Sequence, residues 1–310
     1  MPEFETPGAV RVQVSCEAGE VRLETQSAER TEVELRALSG QSQAQVEATR
    51  VECREEAEGH RLIVDVPSPR RGFMFGNYGV EVQIRVPEGT TLDITTASAD
   101  VRAEGRFAGG LIRTVSGDVQ AETFTGTLAV TTASGDVKVD EALASLQVRT
   151  ASGDIVVEHA KGELSLDAQS GDISVRTAEG DARLRGSSSE VQVWTAAGRL
   201  EVKTSSGDVM VHEVHVGGAV STHSGDVDLI SVRSGKVTVE TMSGDVQVGI
   251  APGSQVAVDT ETRSGDVRSD IVLSDTAEAT GAGGPKVTLE VRTMSGDISL
   301  RRGRPIEAQA

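Results

Sequence analysis

The chain has 310 residues, a formal net charge of −18 and few aromatic residues: five Phe, one Trp and one Tyr. The acidic balance disfavours nucleic acid and anionic membrane surfaces as partners, because both require clustered Lys and Arg. So few aromatic side chains argue against a conventional globule with a large aromatic core and favour thin β-layers of Val, Leu, Ile, Ala and Thr.

The first twenty residues are acidic and contain neither a basic start nor an apolar run, which argues against a secretory signal. No stretch reaches the roughly 18 apolar residues of a membrane span. We therefore predict no membrane insertion and a cytoplasmic location for the chain as given, with surface export left open. Cys16 and Cys53 are too few for a disulfide framework, and we expect two reduced thiols.

Residues 1–90 lack the repeat described below and form a predicted N-terminal β-rich capping region. A solenoid exposes unpaired strand edges at its ends and needs such a cap. Strands are predicted near 9–16, 20–25, 31–38, 50–56, 60–66 and 80–86, with a short helix near 41–49.

The loop between Pro67 and Gly79 combines two Arg with three of the aromatic residues. These residue types are enriched at protein interfaces, which makes the loop a candidate partner-binding element. An alternative is that the loop folds down as a plug over the first coil. The candidates are Arg70, Arg71, Phe73, Phe75 and Tyr78.

From residue 98 onward, a Ser-Gly-Asp triplet returns every eighteen residues. The variant Ser98-Ala99-Asp100 begins the series, and the spacing loosens after Ser224. Fixed-period self-similarity of this kind is typical of a repeat architecture. The later members begin at Ser116, Ser134, Ser152, Ser170, Ser188, Ser206, Ser224, Ser243, Ser264 and Ser295.

A second period of nine residues lies within each repeat. A small residue, usually Gly, marks it, and apolar residues follow two and four positions later. Alternating apolar positions predict a short strand with one inward face, followed by a turn. Core positions are predicted at Val137, Val139, Leu146, Val148, Ile155 and Val157.

Two strands per eighteen residues are compatible with an antiparallel meander or with a two-sided coil. The strands of one repeat differ in kind: one opens with SGDV or SGDI, the other with forms such as GTL or GEL. In an eighteen-residue coil each kind stacks on itself, whereas a meander gives no reason for the alternation. A left-handed hexapeptide helix would need an apolar period of six. We therefore predict an all-β parallel β-solenoid (β-helix) with two strands per coil, and the crossover preference favours a right-handed coil.

The triplet predicts a corner of the coil. Thr stands two residues before most triplet Ser residues, faces inward and can satisfy backbone groups. Gly permits a positive φ, and Asp points outward. Stacked carboxylates about 4.8 Å apart repel one another, so we predict that each Asp accepts a backbone N–H of its own corner.

The alternative for the Asp row is a line of bound Ca²⁺. Only one carboxylate per coil is offered, so no cofactor is predicted and calcium is kept as the alternative. Its candidate ligands are Asp118, Asp136, Asp154, Asp172, Asp208 and Asp226.

The solenoid of Ser-Gly-Asp repeats is predicted to span residues 91–303, followed by a tail at 304–310. The Ala/Gly-rich segment Thr276–Pro285 interrupts the repeats and is predicted to be a flexible excursion.

The repeated motif resembles bacterial putative-adhesin families of unknown function that are related to the head-GIN adhesin domain. It appears here as TVSGDV, TASGDV, TASGDI, TSSGDV, THSGDV, TMSGDV, TRSGDV and TMSGDI. The opening PEFETP, the PEG at Pro87–Gly89 and the final TMSGDISLRRG also resemble actinobacterial-type members. The resemblance covers essentially the whole chain. It implies a β-strand-repeat fold and an adhesin-like role.

No residue pattern indicates an enzyme, since a G-x-S-x-G elbow, a Cys-His motif and a His repeated beside the triplet are all absent from the sequence. His212, His215 and His223 lie close in sequence and could meet across coils as a zinc site, although solvated His is the simpler interpretation. Trp194 is a lone outward aromatic, less than the aromatic cleft of a polysaccharide-cleaving β-helix.

We therefore predict a non-enzymatic interaction scaffold that presents a long β-face to a protein or cell-envelope partner, as a monomer or an end-to-end homo-oligomer. One alternative is a calcium-binding β-roll-like repeat protein, which calcium-dependent melting would reveal. Another is a carbohydrate-binding or carbohydrate-cleaving β-helix, which an oligosaccharide-binding screen would reveal.

Overall fold

The computed structural model describes residues 2–57, 59–68, 79–271 and 284–302. They belong to two compact units, Met1–Val156 and Val157–Ala310. Regular structure is almost entirely β-strand, as the sequence predicts. The exception is a 3-10 turn, Gly40–Ser42, that leads into helix α1 (Gln43–Ala48), within the segment predicted to be helical.

The first unit contains two strands of 17 residues each and shorter strands in the repeats that follow. Its strands are β1 (Glu3–Glu5), β2 (Val10–Gln26), β3 (Arg30–Ala37), β4 (Arg50–Glu56), β5 (Gly59–Asp65), β6 (Val80–Pro87), β7 (Thr91–Phe107), β8 (Gly109–Arg113), β9 (Val119–Phe124), β10 (Leu128–Thr131), β11 (Val137–Ala142) and β12 (Leu146–Thr150). Strand β13 (Ile155–Ala160) spans the boundary of the units.

The second unit continues the two-strand pattern. Its strands are β14 (Leu164–Ala168), β15 (Ile173–Ala178), β16 (Ala182–Gly186), β17 (Val191–Ala196), β18 (Leu200–Lys203), β19 (Val209–Val214), β20 (Gly217–Ser224), β21 (Val227–Val232), β22 (Gly235–Ser243), β23 (Val246–Ile250), β24 (Gln255–Ser264), β25 (Val267–Ser269), β26 (Lys286–Ser295) and β27 (Ile298–Arg302).

Alternate strands pair in parallel with an offset of one repeat. In the first unit Val137 of β11 lies beside Val119 of β9, and Leu146 of β12 beside Leu128 of β10. In the second unit β15, β17, β19 and β21 pair in the same way. Each kind of strand therefore stacks on itself. The parallel β-solenoid is confirmed, and the antiparallel meander is excluded.

The stacking order departs from the chain order at the start of the first unit. Strand β2 pairs in parallel with β5 and β6 on one side and with β7 on the other. Beyond them, β4 lies antiparallel on β5, and β3 lies antiparallel on β6. Antiparallel strands thus cover the outer edge of this coil. The predicted division at residue 90 stays a prediction, although parallel pairing also involves strands before that residue.

A second departure occurs in the second unit. Strand β26 pairs with β22 on one side and β24 on the other, while β27 lies in the same way between β23 and β25. The coil formed by residues 286–302 is therefore inserted between two coils that precede it in the chain. Coil 255–269 is left outermost, and its side chains are half-buried or exposed.

The core consists of columns of small aliphatic side chains. All six predicted core positions are at most 1% exposed, from Val137 to Val157. Two aromatic side chains, Phe107 and Phe124, are fully buried in the first unit and stack with their centroids 5.4 Å apart. Columns of Val, Leu, Ile and Ala supply the rest, as the composition predicts.

The corner glycines of the first unit are required by close approach and not by φ, so the predicted positive φ is wrong for them. Gly117, Gly135 and Gly153 do not adopt left-handed φ values. A Cβ on Gly135 would lie 1.9 Å from the Gly117 carbonyl oxygen of the preceding coil. From Gly207 onward the prediction holds, since Gly207 has φ of 141° and Gly225 and Gly244 both have φ of 146°.

Candidate functional site: corner ladders and an outward aromatic column

The triplet Asp residues form a ladder of hydrogen bonds between coils. In the first unit the backbone N–H of Asp118 donates to Oδ1 of Asp100 at 3.0 Å, and that of Asp136 donates to Oδ1 of Asp118 at 3.0 Å. The N–H of Asp154 donates to Asp136 at 2.9 Å. The prediction that each carboxylate accepts an N–H of its own corner is therefore wrong about the donor. The donor belongs to the next coil, which offsets the repulsion between stacked carboxylates.

The ladder also follows the inserted coil of the second unit. The N–H of Asp245 donates to Asp226 at 2.8 Å, and the N–H of Asp297 donates to Asp245 at 2.8 Å. The N–H of Asp266 then donates to Asp297 at 2.9 Å. At the outermost coil, the Asp266 carboxylate pairs with Arg268. Of the calcium candidates, Asp118, Asp136, Asp208 and Asp226 each accept such a bond, and Asp172 accepts the N–H of Glu190.

The N–H of the corner glycine is satisfied in two different ways. In the first unit the Thr132 hydroxyl accepts the Gly135 N–H at 2.9 Å, and Thr114 and Thr150 do the same for their own glycines. This confirms that the inward Thr satisfies the backbone there. In the second unit the Gly225 N–H donates instead to the Ser243 carbonyl oxygen of the next coil.

Three corners of the second type contain a Thr hydroxyl that has no protein partner among the described residues. Thr222, Thr241 and Thr293 are buried, and their Oγ1 atoms have no hydrogen-bond partner among the described residues. At these corners the glycine N–H donates to a carbonyl oxygen of the neighbouring coil. The Thr hydroxyl of the same corner therefore does not accept it, as Thr132 does in the first unit. The same sequence motif therefore makes two different corners.

An outward column of stacked side chains lies on one face of the second unit. The indole of Trp194 stacks on the imidazole of His212, with ring centroids 5.5 Å apart and planes at 3°. On the opposite side, the Arg176 guanidinium lies 5.9 Å from the Trp194 ring centroid. Arg176 Nε donates to Glu158 Oε2 at 2.6 Å. We call Glu158, Arg176, Trp194 and His212 the Trp194 column.

The eighteen-residue period builds the Trp194 column, because its members occupy the same outward position of successive coils. Trp194 and His212 are half-buried, and His212 Nε2 is buried without a partner among the described residues. The outward position of His212 is confirmed, but its ring is stacked and not freely solvated. The sequence analysis considered Trp194 and His212 separately and did not identify Arg176 and Glu158. The eighteen-residue spacing of the four residues could have identified them as one column.

The three His residues do not form a zinc site. His215 Nε2 lies 3.0 Å from Glu213 Oε2, and His223 is exposed at a corner. Within the part of the chain that the structure describes, His, Cys, Asp and Glu side chains form no group that could hold a metal ion.

A shallow depression of about 210 Å³ lies on the first unit, beside a β-bulge in β7. Its cations are paired: Lys138 Nζ lies 3.3 Å from Asp140, and Arg102 lies 3.1 Å from Glu20. Cys16 and Cys53 are free, as predicted, and burial raises the pKa of the Cys16 thiol to about 11. The Arg70, Arg71, Phe73, Phe75 and Tyr78 candidates lie outside the described residues.

The model of the family described as Toastrack DUF4097 matches residues 10–195 and 140–301. The chain belongs to this family. Its repeats are those of a Toastrack β-solenoid, so the predicted membership of a β-strand-repeat family of unknown function is confirmed. No curated protein matches the chain. Among residues 2–57, 59–68, 79–271 and 284–302, no helix is both long and apolar enough to cross a membrane.

Two solved structures are similar to the chain. One is a putative cell adhesion protein from Clostridium sporogenes, with 11% identity and a TM-score of 0.26, covering 97% of this chain and 99% of the other. The second is a putative adhesin from Bacteroides fragilis, with 10% identity and a TM-score of 0.30, covering 96% of this chain and 95% of the other.

Proposed function

We propose that this Toastrack protein is a non-enzymatic interaction scaffold, and that the Trp194 column on the outward face of its second unit binds a protein partner. The observation that carries the proposal is the stack of Arg176, Trp194 and His212. Trp and Arg are the residues most enriched in interface hot spots. A side chain already held in one position loses little conformational entropy when a partner binds.

The geometry favours a protein over a sugar as the partner. A sugar ring would need a free face of the indole, and both faces of Trp194 are in contact, one with Arg176 and one with His212. The edge of the half-buried indole stays open to solvent and is a group that a polypeptide can contact. With a chain net charge of −18, electrostatic complementarity favours a basic partner surface.

An adhesin-like role without catalysis fits the same observations. The two cations at the depression on the first unit, Arg102 and Lys138, are paired with carboxylates and are not arranged as a base beside a nucleophile. The Arg70–Tyr78 segment remains the sequence-based candidate for a second contact.

The test is co-purification from the native host with three versions of the chain: the natural sequence, Trp194→Ala, and Gln120→Ala as a control on an outward position of β9. We expect one partner to be recovered with the natural chain and with Gln120→Ala, and to be lost with Trp194→Ala. All three should melt at similar temperatures, because Trp194 lies on the outward face and is not one of the buried core residues. Equal recovery with Trp194→Ala would contradict the proposal.

A further inference from the structure

The insertion of coil 286–302 places Met294 beside Met242, which already lies one coil away from His223. Thr241 of β22 lies beside Thr222 of β20 on one side and Thr293 of β26 on the other, and the three following Ser residues are in the same register. The residues between each Thr and Ser are His223, Met242 and Met294. They therefore occupy the same position on three adjacent strands, with Met242 in the centre.

All three side chains point outward at the corner. The Thr residues before them are buried, so the next residue of each strand faces solvent. Met242 is 49% exposed and Met294 is 44% exposed, which places them among the exposed large apolar side chains of the described chain. Hydrophobic burial therefore does not explain their presence. Adjacent strands lie about 4.8 Å apart, so the flexible thioether of Met242 can meet the side chains on either side.

The donor atoms of this group are two thioether sulfurs and one imidazole nitrogen. Thioether ligands select soft monovalent copper, while calcium and magnesium require oxygen ligands. Carboxylates of the Asp ladder stand three residues beyond each donor, at Asp226, Asp245 and Asp297. Their negative charge favours the approach of a cation to the corner, and Arg263 of β24, in the same register beside Met294, offsets part of it.

We propose that His223, Met242 and Met294 form a surface site for a soft monovalent metal ion, Cu(I) or its redox-stable analogue Ag(I). Three backbone positions are fixed by strand pairing, and the side chains close around the ion when it binds. Met242 is the central ligand. The site is independent of the Trp194 column, which stands on a different part of the second unit.

The first measurement uses the full chain carrying Cys53→Ser, which removes the half-buried thiol as a competing ligand. Methionine methyl groups are labelled with ¹³C, and Ag(I) is added. We expect the methyl signals of Met242 and Met294 to shift, while that of Met210, whose sulfur lies 3.9 Å from Gln192 Nε2, stays in place. Signals are assigned from single Met→Leu variants.

The second measurement is anaerobic competition for Cu(I) with a chromophoric chelator. We expect Met242→Leu to weaken binding by at least about tenfold, and Met294→Leu and His223→Gln to weaken it less. Met210→Leu is the matched control and should bind like the parent. Leu is tolerated at exposed Met positions, so the melting temperature without metal should not change. Unmoved Met242 and Met294 signals, or undiminished Cu(I) binding by the Met242→Leu/Met294→Leu double variant, would overturn the proposal.

Discussion

The backbone N–H of Asp297 donates a 2.8 Å hydrogen bond to Oδ1 of Asp245, although the two residues are 52 positions apart in a chain whose repeat is eighteen. The bond exists because coil 286–302 enters the stack directly after coil 235–250. Elsewhere the same carboxylate-to-amide hydrogen bond joins consecutive repeats, such as those of Asp118 and Asp136. The hydrogen bonds of the ladder thus follow the order in which the coils stack and not the order of the coils along the chain.

Removing one ladder acceptor should destabilise the first unit. In Asp136→Ala the Asp154 N–H loses its acceptor, and we expect a loss of about 0.5–2 kcal/mol, as for other side-chain caps of backbone donors. Asp136→Asn retains an amide oxygen and should lose less. Urea denaturation monitored by circular dichroism measures both. Equal losses in the two variants would show that charge, and not the hydrogen bond, is what matters.

Chelation should leave stability unchanged. One oxygen of each ladder carboxylate is already engaged with a backbone N–H, and one carboxylate per coil is a poor cage for a cation that takes 6–8 oxygen ligands. We expect the same melting temperature in EDTA and in millimolar calcium. A melting temperature that falls by many degrees in EDTA and recovers with calcium would favour the β-roll-like alternative.

The two corner types predict opposite results for one substitution. Thr132→Val leaves the buried Gly135 N–H without its acceptor, which should cost about 1–3 kcal/mol. Thr241→Val removes a buried hydroxyl that has no partner among the described residues and should be neutral or stabilising. The substitution is nearly isosteric at both positions, so each variant serves as the control for the other in chemical denaturation. Equal costs would show that the two corners do not differ in solution.

Close approach between coils predicts that Gly135→Ala is damaging. The new Cβ would meet the Gly117 carbonyl oxygen at 1.9 Å, and backbone cannot move aside as a flexible side chain can. We expect a loss of about 3 kcal/mol or more, at the upper end of overpacking effects. Gly40→Ala is the control, since a Cβ there has no neighbour within 4 Å. Thermal melting of the two variants tests this, and a stable Gly135→Ala protein would contradict it.

The fold was predictable because one pattern repeats often enough to fix both the strand and its partner. Val137 and Val139 alternate with polar residues, and their counterparts one repeat away carry the same alternation, so only stacking at that offset buries both sets. The position of β26 was not predictable. Its apolar residues would be buried equally well beside β22 or on the outer side of β24. Because the neighbouring strands carry the same motif, the sequence does not distinguish the two positions.

The same limit applies to the sites. Arg176 and Trp194 are one period apart, so the period alone brings them together. Met242 and Met294 become neighbours only through the insertion, which leaves no trace in the spacing. The change of corner type also escapes the sequence, because Thr132 and Thr241 belong to the same motif and differ only in where a glycine N–H points.

The inserted coil has a consequence for biosynthesis. Strands β24 and β25 leave the ribosome before β26 and β27, and at that moment β22 and β23 offer them a matching edge with the same motif. Once β26 emerges, it must take the place beside β22 that β24 is equally able to occupy. Repeats that are alike in sequence make such competing registers close in energy. Coil 286–302 therefore cannot complete the second unit by addition at the outer end of the stack, because in the folded protein it lies between two coils that are synthesised before it.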